Sequence, residues 1–232
     1  MSMIVRTIFA AICGLVVTFA FGASSVAEKA AELPNSIRIA KSHPEDNPLL
    51  LRAYEKFQAG DFAAANSAYQ RVLADEPKNL DALHGMAAVS LRQGQAVAAS
   101  EYYRRALEAD PRDVLAQVWL IGMQGRTDPL LAESRLKVLL SFQPELFYAN
   151  FVLGNLYASQ NRWREAQAAF FRAYSAEPGD PDILFNLAVS LDQLRLAGQA
   201  VHYYRQALLA AESRSAAFDR NQVAVRLGEL EH

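Results

Sequence analysis

Four prolines, Pro77, Pro111, Pro144 and Pro178, stand 34, 33 and 34 residues apart. A period of this length marks a chain built from stacked helix pairs, each burying its apolar face only against its neighbours. Composition agrees: 52% of the 232 residues are apolar and 21% charged, with only 11 glycines and 9 prolines to interrupt helices.

The segment 146–179 shows the unit most clearly. Leu153-Gly154 is followed by Tyr157, the turn Gln160-Asn161-Arg162 and Trp163, then Ala166, Phe170, Ala173 and Pro178. Gly154 and Ala166 suit the close approach of two helices. Tyr157 and Phe170 fill the space beside them, Ala173 lets the next unit stack, and Pro178 stops the second helix. Related patterns run through 48–78 (Ala53, Gly60, Phe62, Ala65, Tyr69, Leu73), 79–112 (Ala87, Gly94, Ala99, Tyr103, Ala106) and 180–212 (Leu187, Ala188, Leu191, Ala200, Tyr204, Ala207). The unit 113–145 is irregular. Its turn, Gly125 to Pro129, is one residue short, Ile121 replaces a small residue and Leu136 replaces an aromatic one, so altered stacking is expected there. In the last unit Glu212 stands where the proline would fall, and 213–232 reads as a capping helix with Val223, Leu227 and Leu230 on one face.

Leu-Gly-x-x-Tyr, Ala-x-x-x-Phe and Pro at these separations resemble the tetratricopeptide-repeat family, over roughly Leu49–Glu212. The resemblance implies an all-α, right-handed solenoid of about five helix pairs, and binding of a protein or peptide rather than catalysis. A looser resemblance is to repeat proteins of bacterial pilus biogenesis, of the mannose-sensitive-haemagglutinin type, or of secretion systems. It rests on the apolar leader before a compact array and on Phe185 to Leu194 with Tyr203 to Leu208 behind it.

Residues 1–27 read as an export segment. Arg6 is followed by an apolar run, Ile8 to Phe21, and by small residues that make Ser25-Val26-Ala27 an acceptable cleavage site. An uncleaved membrane anchor is the other reading, since Thr7 to Ala27 carries no charge. The expected location is therefore periplasmic, or anchored in the inner membrane and facing the periplasm. Membrane contact is expected only if the leader is retained. Residues 28–47, with Pro34 and Pro44, read as a spacer. The single cysteine, Cys13, lies in the leader without the residues that precede a lipidated cysteine, so a mature chain would carry no thiol chemistry.

The resemblance places the first helix of each pair on the concave groove. The candidate groove residues are Leu50, Tyr54, His84, Val118, Tyr148, Phe151, Asn155 and Phe185. A neighbouring row holds Asn47, Asp81, Leu115, Tyr148 and Asp182, so acids lie near both ends of an apolar, aromatic middle. Such a lining suits an extended or helical segment with hydrophobic anchors and basic flanks. The competing expectation is that these aromatics simply pack against neighbouring helices.

No reaction chemistry is legible. The four histidines form no metal-ligand spacing, the glycines no phosphate cradle, and Ser190 and Asp192 have no base beside them. The formal charge of −2, without a basic block, argues against nucleic acid. The expectation is a non-catalytic scaffold, without cofactor or metal, that binds a peptide segment of a bacterial envelope machine, in pilus or secretion-system assembly. A soluble periplasmic chaperone or targeting factor is the alternative. The partner's identity and the oligomeric state are not encoded legibly.

Overall fold

A computed structural model describes residues 47–231. The leader, and the spacer up to residue 46, lie outside the described residues. Within them the chain is all helix, without a strand. The helices are α1 (Pro48–Gln58), α2 (Phe62–Asp75), α3 (Leu80–Arg92), α4 (Ala96–Ala109), α5 (Val114–Gln124), α6 (Pro129–Phe142), α7 (Phe147–Ser159), α8 (Trp163–Ala176), α9 (Pro181–Gln193), α10 (Ala197–Ser213) and α11 (Arg220–Glu231). The first ten make five consecutive hairpins, each stacked on the next, and α11 packs on α10.

The prolines act where the period put them. Each lies two residues past the end of α2, α4, α6 or α8. The residue before each, Glu76, Asp110, Gln143 or Glu177, has ψ between 74° and 105°, outside the helical region. Proline imposes that restriction on its predecessor and so ends the helix. Side chains then restart the chain. Asn47, Asn79, Asp113 and Asp180 each accept backbone N–H bonds in the first turn of α1, α3, α5 and α9.

Between the helices of a pair, four of the five turns use one left-handed residue: Gly60, Gly94, Asn161 and Arg195, at φ 76°, 72°, 58° and 62°. The residue after each donates its N–H back across the helix end, Asp61 to Lys56, Gln95 to Ser90, Arg162 to Tyr157 and Leu196 to Leu191. The third turn has no such residue, and Gly125 is helical there with φ −58°.

Packing follows the small-against-aromatic rule. A Cβ added at Gly154 would come within 2.5 Å of the Phe170 ring, and one at Gly85 would run into the ring of Tyr69. Tyr69, Tyr103, Phe170 and Tyr204 form a buried aromatic ladder through the second helices, with Leu136 as its third rung. In the third pair Ile121 occupies the small position, and α5 and α6 are the least closely packed helices of any pair. Instead α5 lies directly on α7, where a Cβ at Gly122 would meet Val152 at 2.6 Å.

A polar anchor fastens α6 to the fourth pair. The largely buried Glu133 carboxylate accepts from Arg162 at 2.6 Å, Lys137 at 2.5 Å and the Tyr157 hydroxyl at 3.1 Å. Arg162 also lies over the Tyr157 ring, 4.3 Å from its centre. The Arg162 hydrogen bond is the main reason Glu133 is held at a pKa of about 2, with Lys137 and Tyr157 assisting against the cost of burial.

Candidate partner-binding face

The first helices α1, α3, α5, α7 and α9 carry every residue expected to line the groove. Burial corrects five of them. Leu50, His84, Val118, Phe151 and Phe185 are between 0% and 3% exposed. Three of them meet a ring on the second helix of their own pair. Phe151 meets Phe170 with ring centres 5.6 Å apart, Phe185 meets Tyr204 at 6.2 Å and His84 meets Tyr103 at 6.4 Å. The helical geometry explains this: position 151 is rotated by about 40–60° from the stripe shared by 148 and 155, and that rotation points it into the hairpin. Leu50, His84, Val118 and Phe151 shape the face from beneath and offer it no surface, whereas Phe185 is covered by the chain's own Phe218.

Tyr54, Tyr148 and Asn155 remain partly exposed. Tyr148 and Asn155 are two turns apart on α7 and so share one stripe. Tyr148 packs edge-on against Phe147, with ring centres 5.0 Å apart. Burial, and the negative charge of Asp113, raise its phenol above its usual range. The Asn155 side-chain oxygen is enclosed and finds no hydrogen-bond partner.

A buried polar group flanks this stripe. Asp113 Oδ2 lies 2.5 Å from His84 Nε2, and both side chains are nearly solvent-free. Burial opposes the Asp113 charge, but the His84 hydrogen bond and charge outweigh it and keep that carboxyl below its usual pKa. Asp81 is pushed the other way, up to about 6, chiefly by burial and further by Asp113, with His84 opposing. No group of three or more His, Cys, Asp or Glu side chains with metal-binding geometry occurs among the described residues.

The face is closed at two places. Every residue of α3 from Asp81 to Ser90 is buried, and every residue of α9 from Pro181 to Asp192. At α9 the cover includes the chain's own segment between α10 and α11. Phe218 stacks on Phe185 with ring centres 4.7 Å apart, and the Ala217 N–H donates to Asp182 at 2.7 Å. The same segment reaches the second pair, where Arg92 donates to the Ala216 carbonyl at 3.2 Å. Sequence reasoning missed this contact because it joins residues 124 apart. Phe218, an aromatic residue in a polar loop, was the one legible hint.

Two models of the tetratricopeptide repeat match the chain, at residues 56–120 and 151–217, together more than half of it. The chain belongs to the tetratricopeptide-repeat family. The stretch between the two matches holds the irregular helix α6 and its turn. Among solved structures the chain is similar to the thermophilic repeat protein TTC0263 of Thermus thermophilus, with a TM-score of 0.64 and 23% identity, over 81% of this chain and 98% of that one. It is also similar to PilW, a widely conserved type IV pilus biogenesis factor, with a TM-score of 0.57 and 18% identity, over 82% of this chain and 87% of that one. At those identities the likeness concerns the fold.

Among curated proteins it is 36% identical over 84 residues to cellulose synthase operon protein C of Komagataeibacter xylinus, a match over 35% of this chain and only 6% of that protein. Repeats of this family make protein–protein interaction scaffolds, and their packing positions carry no reaction chemistry. No helix among the described residues is long and apolar enough to cross a membrane.

Proposed function

We propose that this chain is a scaffold that holds an extended segment of a protein partner on its concave face, centred on α7, during assembly of a bacterial envelope machine. The observation that carries the reading is that Tyr148 and Asn155, on one shared stripe of α7, keep part of their surface open while Phe151 between them is buried. The Asn155 carboxamide is a side chain that can both donate to and accept from a peptide backbone. Tyr148 beside it supplies an amphipathic ring of the type enriched at recognition sites. Tyr54 repeats the Asn155 position on α1 and extends the face. The envelope setting is supported by the leader-like sequence of residues 1–27 and by the fold shared with a pilus biogenesis factor.

The test is partner capture from cells by the purified chain. Tyr148→Ser and Asn155→Ala are expected to reduce capture at least about tenfold, the equivalent of 1.4 kcal/mol. Arg164→Ser, on the exposed face of α8, is expected to leave it unchanged. Equal capture by all three variants would sink the reading.

A further inference from the structure

The contacts made by the segment between α10 and α11 have the form of a bound peptide. Its residues are held by groups from three different units. Arg214 donates to the Gly179 carbonyl at 2.9 Å and lies 3.5 Å from Glu177, at the end of the fourth pair. Arg92, at the end of α3, takes the Ala216 carbonyl, while Asp182 takes the Ala217 N–H. Phe218 lies flat on Phe185, with 20° between the ring planes, and only 7% of it stays exposed. One donor and one acceptor thus read adjacent backbone groups, an aromatic platform reads a ring, and an acid with a carbonyl reads a guanidinium. A loop whose only task was to join α10 to α11 would not need to reach the second pair.

We propose that Arg92, Asp182 and Phe185 form a peptide-recognition site that the chain covers with its own residues 214–218. The occupant in trans is a partner segment of the same chemistry: a basic residue, two small residues with free backbone groups, and an aromatic residue four positions after the base. The proposal rests on the scaffold reading and extends its face from α7 onto α9, where Asp182 occupies the position that Tyr148 holds on α7. The cover is an intramolecular competitor, so the partner must displace it. A tethered segment acts at an effective concentration in the millimolar range, so the covered chain binds a free peptide weakly.

The experiment uses the full chain and a fluorescein-labelled synthetic peptide with the sequence of residues 213–220. Phe218→Ala is expected to bind the peptide at least about tenfold more tightly than the wild type by fluorescence anisotropy. Adding Phe185→Ala should abolish the gain, as should replacing the peptide's phenylalanine by serine. Ala217→Pro, which removes the N–H donated to Asp182 and keeps the ring, should also open the site, and it stands in if Phe218→Ala fails to fold. Binding by both opened variants that is no tighter than wild type overturns the proposal. So does a peptide whose serine version binds equally well. A wild-type dimer in light scattering that Phe218→Ala abolishes would assign the site to a second copy of this chain and also overturn it. Partner capture that depends on Tyr148 but is unmoved by Phe218→Ala sinks this proposal alone. Peptide binding that responds to Phe218 while capture ignores Tyr148 and Asn155 sinks the scaffold reading of α7 instead.

Discussion

The third and fourth helix pairs occupy equivalent places in the array yet are built on different rules. In the fourth, Gly154 lets the Phe170 ring close on α7, Asn161 makes the left-handed turn, and the hairpin packs tightly. In the third, Ile121 and Leu136 replace the glycine and the ring, the left-handed turn is missing, and the two helices splay. The splayed helix α6 leaves Leu130, Val138 and Phe142 on its outer side, 75%, 56% and 80% exposed. What replaces packing is charge: Glu133 ties α6 to Tyr157 and Arg162 of its neighbour. The difference shows one buried carboxylate reinforcing the contact between units where the fit within a unit is looser, alongside the buried Ala132 and Leu136. It also leaves α5 free to lie directly on α7, beneath the stripe that carries Tyr148 and Asn155.

Exchanging the two rules tests this contrast most severely. Gly154→Ile should drive the Phe170 ring out of place and destabilise the chain by about 3 kcal/mol or more, measured by urea unfolding. Ile121→Ala, the reverse change in the third pair, should cost less, about 1–2 kcal/mol, because the site is already loose and only partly buried. Equal losses would erase the distinction between the pairs.

The charge anchor predicts the next largest effect. Glu133→Gln should cost about 2 kcal/mol and raise hydrogen exchange in α6 more than in α8. Because the folded pKa of Glu133 lies near 2, below the usual 4.5, its contribution is complete above the usual value. It is lost as pH falls through the interval between them. The wild type should therefore lose stability between pH 4.5 and 2 by an amount that the Gln variant does not show.

Asp81 gives the opposite slope in the second pair. Its folded pKa of about 6 exceeds the usual 3.8, so its carboxyl favours the folded state most below the usual value and penalises it as pH rises through 6. Asp81→Asn should raise stability at about pH 7.5 by on the order of 1–2 kcal/mol and change it little at about pH 3.5. A variant that is less stable at both values would show that the Asp81 carboxylate has a structural partner.

The smallest effect concerns the turns. Arg195 adopts φ 62°, where side chains are strained. Arg195→Gly should stabilise by up to about 1 kcal/mol, and Gly94→Ala should cost a similar amount. The third turn has no left-handed residue, so Gly125→Ala should register its contacts with Leu156, Ala132 and the Gly122 carbonyl rather than a strained φ.

The proline period, the small residues and the aromatic positions make the repeat fold legible in the sequence. Each is a local signal fixed by backbone sterics or by close approach within one hairpin. The irregularity at Ile121 and Leu136 was legible too, though not the Glu133 anchor that offsets it, since nothing in the sequence says that residues 29 apart will pair. The groove was less legible. Along the first helices Tyr54, Tyr148 and Asn155 keep part of their surface, but Phe151 and Phe185 differ from Tyr148 by a rotation that only packing decides. The reach of residues 214–218 back to Arg92 depends on the curvature of the whole array, which no single repeat encodes.

The central claim is that a partner is held on the concave stripe of α7 rather than on the exposed apolar side of α6. Photo-crosslinking in cells, with a photoreactive residue at Tyr148 in one chain and at Phe142 in another, tests this directly. Capture of a defined partner chain from position 148, and none from 142, is the predicted result. Capture of that chain from 142 and not from 148 would contradict the claim.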